Sequence, residues 1–423
     1  MKLGFLQWPF DGANTDTKFS DWHLSLHSTK QPANNLFSHS AKGTVLSQST
    51  IELWLRRTTT SQSYFTPTWC DINNLDCDAI ILPYTWFLYF TSEHLTLLSN
   101  YKGKIIIDET WDSWIFDEDN NQTNIITTFF KELGTFIDLD NVRILSSVEL
   151  NTATARDTFS KVFNNVKVIS ANVMLLLLAS TVKRLYTDEY IIDNFNHAKD
   201  KNFIMCTGRP RGYRLALIKF LTDNNLLGNN FVSTNLSSDI NDSTQDMILK
   251  YIDDVYNDAS RYQLSEFCDI SELKNYTQTL LIPEYREEYY NTGNPYPKNN
   301  VYTQSKYSII TETLFQTNID GLAWFTEKTW KPMIYGHPML LFAMPDSWKV
   351  LQGYGFESYE QFGVYDAIKP PHARFKTLCD SIQQLEEEPM SKVTLTAILH
   401  NTNRFYSKDL EDSIVKQFVE QIQ

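Results

Sequence analysis

One stretch constrains this chain more than any other: Phe325 to Pro345, FTEKTWKPMIYGHPMLLFAMP. It reads as a helix that must feed directly into a short apolar strand. Thr326 is placed to cap the helix, so Glu327 and Lys328 fall in its first turn. Gly336 can take the left-handed conformation that ends it. His337-Pro338 then leads into Met339–Phe342, a run short and apolar enough for a strand buried in a parallel sheet. Helix starts at the carboxyl edge of such sheets are where nucleotides and phosphates bind in open α/β folds. There Glu327 can accept from two vicinal ribose hydroxyls, and Lys328 can neutralise a phosphate. A surface helix with a solvated Glu-Lys pair would carry the same letters.

Apolar runs alternate with helical patterns along the rest of the chain, which predicts α/β organisation with parallel sheets. In the first half the expected strands cover 3–8, 79–82, 104–108 and 142–146, and residues 171–198 read as helical. A second α/β unit starts at Lys201, with a strand over 202–207, a turn at Gly208, a helix over 210–227 and a strand over 231–234. Asp346 is placed to cap a short helix, and further helices are expected over 374–388 and 408–421. The length of 423 residues allows two domains with separate cores, expected at 1–198 and 199–423.

A second cluster lies at Thr207-Gly208-Arg209-Pro210-Arg211-Gly212-Tyr213-Arg214. Three arginines gather at a helix start, where the dipole already repels positive charge. Cations there make most sense if an anion is to be held, and guanidinium forks match a diphosphate. Arginines on a solvated turn are the plain alternative. Glu312 follows the strand-like segment Ser308–Thr311, which precedes the TEK motif by a loop, and can touch a ligand, brace the loop or face water.

Composition narrows the classes. The apolar run 173–179 is too short to cross a bilayer, and the N-terminus reads as a first strand. Five scattered cysteines argue against a disulfide framework and fit a reducing cytoplasm. A net charge of −14 speaks against a broad phosphate-tracking surface but leaves room for a local basic groove. Repeated Asn-Asn pairs fit an AT-rich genome, such as that of a phage or a low-GC bacterium. No dinucleotide fingerprint, P-loop or nucleophile elbow is present, so oxidoreductase, P-loop NTPase and serine hydrolase are disfavoured. His23 and His27 lack the further ligands of a zinc site, and no metal is expected.

The TEK motif with its helix and Gly-x-Pro-apolar strand resembles the donor-binding signature of fucosyltransferase-type GT-B glycosyltransferases, and is similar in character to glycosyltransferases of tailed phages. The interval from Lys328 to Gly336 is one residue shorter than in that pattern, and His337 replaces a small or apolar residue. The resemblance covers roughly residues 201–366. It implies two Rossmann-like α/β domains facing a cleft, with the last helix crossing back onto the first domain. It implies a nucleotide-sugar donor, with Glu327 on the ribose and Lys328 on the phosphate. Arg209, Arg211 and Arg214 would lie near the diphosphate, and Glu312 and Thr326 beside the donor. No cofactor beyond that co-substrate is expected. The base that deprotonates the acceptor would come from the first domain, with Asp11, Asp108, Glu109 and Asp112 as candidates. A carboxylate must be buried to serve as a base near neutral pH. Retaining enzymes of this fold often carry a second acid eight positions beyond the first, and Tyr335 stands there, which favours inversion. The expected acceptor is a glycan or small molecule, or a hydroxymethylated pyrimidine in phage DNA. A non-catalytic sugar- or nucleotide-binding protein is the alternative. The expected setting is the cytoplasm of a bacterium or a phage-infected cell.

Overall fold

The structure is a computed structural model. It describes residues 1–6, 65–83, 90, 92–108, 121–150, 152–172, 175–176, 178–179, 182–207, 211–228, 230–234, 262–264, 299–316 and 320–423. Asp11, Glu109, Asp112, Arg209, His23 and His27 lie outside the described residues. The chain divides into two compact units: Met1–Thr181 with Ile319–Leu322 and Lys408–Gln423, and Val182–Asn318 with Ala323–Ser407.

The first unit is built on six parallel strands, β1 (Lys2–Leu6), β2 (Thr66–Cys70), β3 (Ala79–Pro83), β4 (Lys104–Asp108), β5 (Val142–Ser146) and β6 (Lys167–Ser170), in the order β2-β1-β3-β4-β5-β6. The isoleucines of β4 and Ile144 of β5 are buried, as a strand covered on both faces requires. Helices α1 (Ser92–Asn100), α2 (Asn121–Leu133) and α3 (Ala153–Val162) connect these strands. Phe130 of α2 meets Phe163, just past α3, edge to face, with ring centroids 5.2 Å apart. The terminal helix Lys408–Ile422 belongs to this unit. Its Gln421 amide accepts from the Ser170 N–H at 3.0 Å and donates to the Ser170 carbonyl at 3.1 Å. A side chain thus completes the outer edge of β6, where a further strand would otherwise pair.

The second unit carries β7 (Lys201–Thr207), β8 (Phe231–Thr234), β9 (Ser305–Thr311) and β10 (Met339–Phe342), all parallel, in the order β10-β9-β7-β8. Its helices include α4 (Asp188–Asn196), α5 (Gly212–Asp223), α6 (Glu327–Tyr335), α7 (Pro371–Glu387) and α8 (Lys392–Phe405). In both sheets the first strand lies between the second and the third, so the order reverses there. A crevice outside the carboxyl ends at such a reversal is where open α/β sheets bind ligands. In the second unit the reversal falls between β7 and β9.

The α/β expectation holds in both units, and several strands match to the residue. Residues 171–198 do not form one helix: 182–187 are non-helical, and Thr187 caps a separate α4 by accepting from the Tyr190 N–H. Asp346 flanks the predicted short helix Ser347–Gly353 without capping it; Asp366 does so by accepting from the N–H groups of Trp348 and Lys349 at 2.9 and 3.1 Å. Among the described residues no helix is long and apolar enough to cross a membrane.

The helix α6 begins and ends where its letters say. Thr326 accepts from the Lys328 N–H, and Gly336 adopts φ 61°, ψ 47°. His337 N donates to Pro332 O at 2.8 Å and Gly336 N to Met333 O at 3.4 Å, the paired closure of a glycine-ended helix. A methyl group on Gly336 would lie 2.6 Å from Cδ1 of Ile191 on α4. Gly336→Ala therefore combines left-handed strain with overlap and should destabilise the protein by roughly 2–4 kcal/mol. Urea unfolding checks this, and an unchanged midpoint would refute the dual constraint.

Candidate functional site

The parallel register sets Ile309 of β9 opposite Met205 of β7 and Thr311 opposite Phe342 of β10. The carboxyl ends of these strands therefore share one edge, where α5 and α6 begin. Glu312, the residue after β9, organises that edge and is fully buried, at 0% exposure. Its Oε1 accepts from Thr326 N at 3.1 Å and from Thr329 Oγ1 at 2.5 Å, while Oε2 accepts from Thr326 Oγ1 at 2.7 Å. Its backbone carbonyl accepts from the Tyr213 hydroxyl and from Arg214 Nη2 at 2.7 Å. Of the three roles open to Glu312, bracing is the one the hydrogen bonds display.

Once the loop is pinned, Thr326 Oγ1 accepts from both the Lys328 N–H at 3.4 Å and Lys328 Nζ at 3.1 Å. Glu327 lies alongside, its side chain 33% exposed, with Lys328 Nζ at 3.4 Å and Lys331 Nζ at 3.9 Å from Oε1. Burial pushes the Glu327 carboxyl up, but the two ammonium groups outweigh it and bring it down to about 2. The carboxylate is thus an acceptor at any pH near neutral. Lys331 is 5% exposed, and burial lowers its pKa while Glu327 opposes that shift. The sequence reading passed over Lys331; the signal was the Glu-to-Lys spacing of four on one helix face.

The arginines divide. Arg214, 2% exposed, donates through Nη2 to the carbonyls of Thr311 and Glu312, both at 2.7 Å, and so binds β9 to α5. Arg211 occupies the N-cap position of α5 and makes no side-chain cap hydrogen bond. Its buried Nε and the buried Oγ1 of Thr311 have no hydrogen-bond partner among the described residues. Donor and acceptor are thus both present, unspent, near one helix start. In the first unit, Asp108 closes β4 and is buried.

His337, a departure from the resemblance, sits in the turn between α6 and β10, 4% exposed. Its Nε2 lies 2.9 Å from the Ser305 carbonyl, which only accepts, so that nitrogen carries the proton. Nδ1, at 2.7 Å from Ser308 Oγ, then accepts from the hydroxyl. Both nitrogens are satisfied by the neutral ring, and burial holds its pKa down to about 3.

No protein-family model and no curated protein sequence matches the chain. Among solved structures, the crystal structure of an alpha,alpha-trehalose-phosphate synthase (UDP-forming) from Burkholderia vietnamiensis is similar to it. The identity is 12% and the TM-score 0.38, over 96% of this chain and 82% of that one. A likeness of that degree transfers no activity, so the functional reading rests on the residues above.

Acid titration tests the placement of His337. An unfolded chain protonates this ring near 6.5, the native one only near 3. Between those values the unfolded state binds the extra proton, so stability is retained above pH 6.5 and falls on acidification. The contribution is at most about 1.4 kcal/mol per pH unit. Urea midpoints at a series of pH values should show this slope, and His337→Gln should lack it; equal slopes would remove the buried neutral imidazole.

Proposed function

We propose that this protein is a nucleotide-sugar-dependent glycosyltransferase whose donor binds at the carboxyl edge of the second unit's sheet. One observation carries the reading: an ionised Glu327 held between Lys328 and Lys331 in the first two turns of a helix at the strand-order reversal. Glu327 accepts from the donor ribose hydroxyls. Lys328 and Arg211 neutralise the diphosphate, with Arg209 as a further cation. Thr326 and Glu312 hold the loop that presents them, and Arg214 contributes by fixing β9 against α5 rather than by direct contact.

The chemistry follows from charge. As an acceptor hydroxyl attacks the anomeric carbon, negative charge grows on the departing diphosphate, and fixed cations stabilise it most in the transition state. A carboxylate must take the acceptor proton; Asp11, Asp108 and Glu109 are the proposed bases, and a single displacement inverts the anomeric centre. The burial of Asp108 supports it as the first to test, because desolvation makes a carboxylate a better base. The acceptor is a glycan or small hydroxylated molecule, or a hydroxymethylated pyrimidine in DNA. The net charge of −14 works against a duplex unless basic side chains line one face.

Thermal shift with nucleoside diphosphates and sugar nucleotides tests the donor. Binding to the native state alone raises the melting temperature by mass action, and no shift with any nucleotide at saturating concentration overturns the proposal. Binding without hydrolysis or transfer of sugar would leave a non-catalytic binding protein. Labelled-sugar transfer to hydroxymethylcytosine-containing DNA, and not to unmodified DNA, selects the nucleic-acid acceptor; transfer to an oligosaccharide alone rejects it.

Glu327→Ala should weaken donor affinity. A hydrogen bond to a charged group contributes about 1.5–3 kcal/mol, so the dissociation constant should rise roughly ten- to a hundredfold. Titration calorimetry reads this directly, and unchanged affinity in a folded variant would take Glu327 out of the site.

A further inference from the structure

In the first unit, two thiols lie against each other. Cys70 ends β2 and is buried, while Cys77 precedes β3 and is half-buried. Their sulfurs are 3.4 Å apart. The strand between them makes room: a Cβ on Gly4 of β1 would stand 2.5 Å from Cys77 Sγ and 2.8 Å from Cys70 Sγ. Any side chain at this position would crowd both sulfurs.

The segment that carries Cys77 is fixed by its own contacts. Tyr101 Oη donates to the Cys77 carbonyl at 2.8 Å, Asp78 N donates to Lys2 O at 2.8 Å, and Lys2 Nζ pairs with Asp76 at 2.7 Å. Cys77 also borders a cavity of about 380 Å³ shared with Asn73, Tyr101 and Lys102. One thiol is therefore reachable from solvent and the other sits behind it at contact distance. That is the arrangement of an attacking and a resolving cysteine.

We propose that Cys70 and Cys77 are a redox-active dithiol, converted to an intramolecular disulfide by a low-molecular-weight disulfide oxidant. The Cys77 thiolate attacks one sulfur of the oxidant, whose other half leaves as a thiolate and takes up a proton. Cys70, having given its proton to solvent, attacks Cys77 Sγ and expels the second half as a thiol. The protein loses two electrons and two protons, and the disulfide oxidant is reduced to two thiols. The buried Cys70 thiol, pushed up to about 12 by burial and by its neighbour Cys77, is slow to react with solvent species, so Cys77 leads. The second step is intramolecular, with the two sulfurs already at contact distance.

The test uses the intact native protein, incubated with oxidised glutathione, alkylated with N-ethylmaleimide, and mapped by mass spectrometry before and after reduction. The peptide that contains Cys70 and Cys77 should lose the mass of two hydrogens, resist alkylation and carry no glutathione. Dithiothreitol should restore both thiols. In Cys70→Ser the reaction should stop at a glutathione adduct on Cys77. Gly4→Ala, whose methyl would crowd both sulfurs, should slow closure at least tenfold. Alkylation of both cysteines in oxidant-treated wild-type protein, or a glutathione adduct that persists on Cys77 while Cys70 stays free, would overturn the proposal. Because the wild-type map stands without any variant, misfolding of a mutant does not rescue it.

Discussion

The candidate site depends on one buried carboxylate. Glu312 reaches forward through its side chain to Thr326 and Thr329, and backward through its carbonyl to Tyr213 and Arg214. A carboxylate with no exposure is tolerated because three donors converge on its two oxygens. The result is that the start of α6 is positioned by β9 and tied to α5 by the same residue. The first turn of α6 then presents Glu327 and Lys328 in fixed relation to the start of α5.

Buried arginine does comparable work on the far side of the same edge. Arg374 of α7 lies over the Phe315 ring at 4.5 Å and donates to the carbonyls of Ile368 at 2.6 Å and Ala343 at 3.2 Å. Carbonyls just beyond parallel strands have no ladder partner, and burying them unpaired is costly. Arg214 and Arg374 satisfy several such groups each through one planar fork. Arg211 is different, since its buried Nε has no described partner. That contrast separates an arginine whose fork is spent on the fold from one whose Nε is not.

Charge balance at α6 follows the same logic. The Glu327 carboxylate faces the Lys328 and Lys331 ammonium groups at a helix start whose dipole is positive, and the Glu312 carboxylate lies behind the same turn. The neutral His337 lies at the opposite end of α6, where its ring closes the turn without adding charge.

Local chemistry made much of this legible from the letters. The cap at Thr326 and the left-handed Gly336 bound α6 by contacts within a few residues, and apolar runs placed β4, β5 and β10 because strands covered on both faces need nearly continuous apolar sequence. Where partners come from far along the chain, the letters were silent. The edge strand β2 carries Pro67, which only an edge position accommodates, and its pairing with β1 is a tertiary fact. Helices α2 and α3, rich in Asn and Thr, were not anticipated from sequence, and Phe130 of α2 packs on Phe163 just past α3. Asp346 looked like a cap from sequence, yet Asp366, twenty residues on in the chain, supplies it. The residues of the TEK edge were nameable from sequence because types and spacing express their charge. Which arginine braces and which stays open, that Lys331 joins the cluster, and that Glu312 holds the loop were decided only by tertiary structure, because each depends on distances between segments that no local pattern encodes.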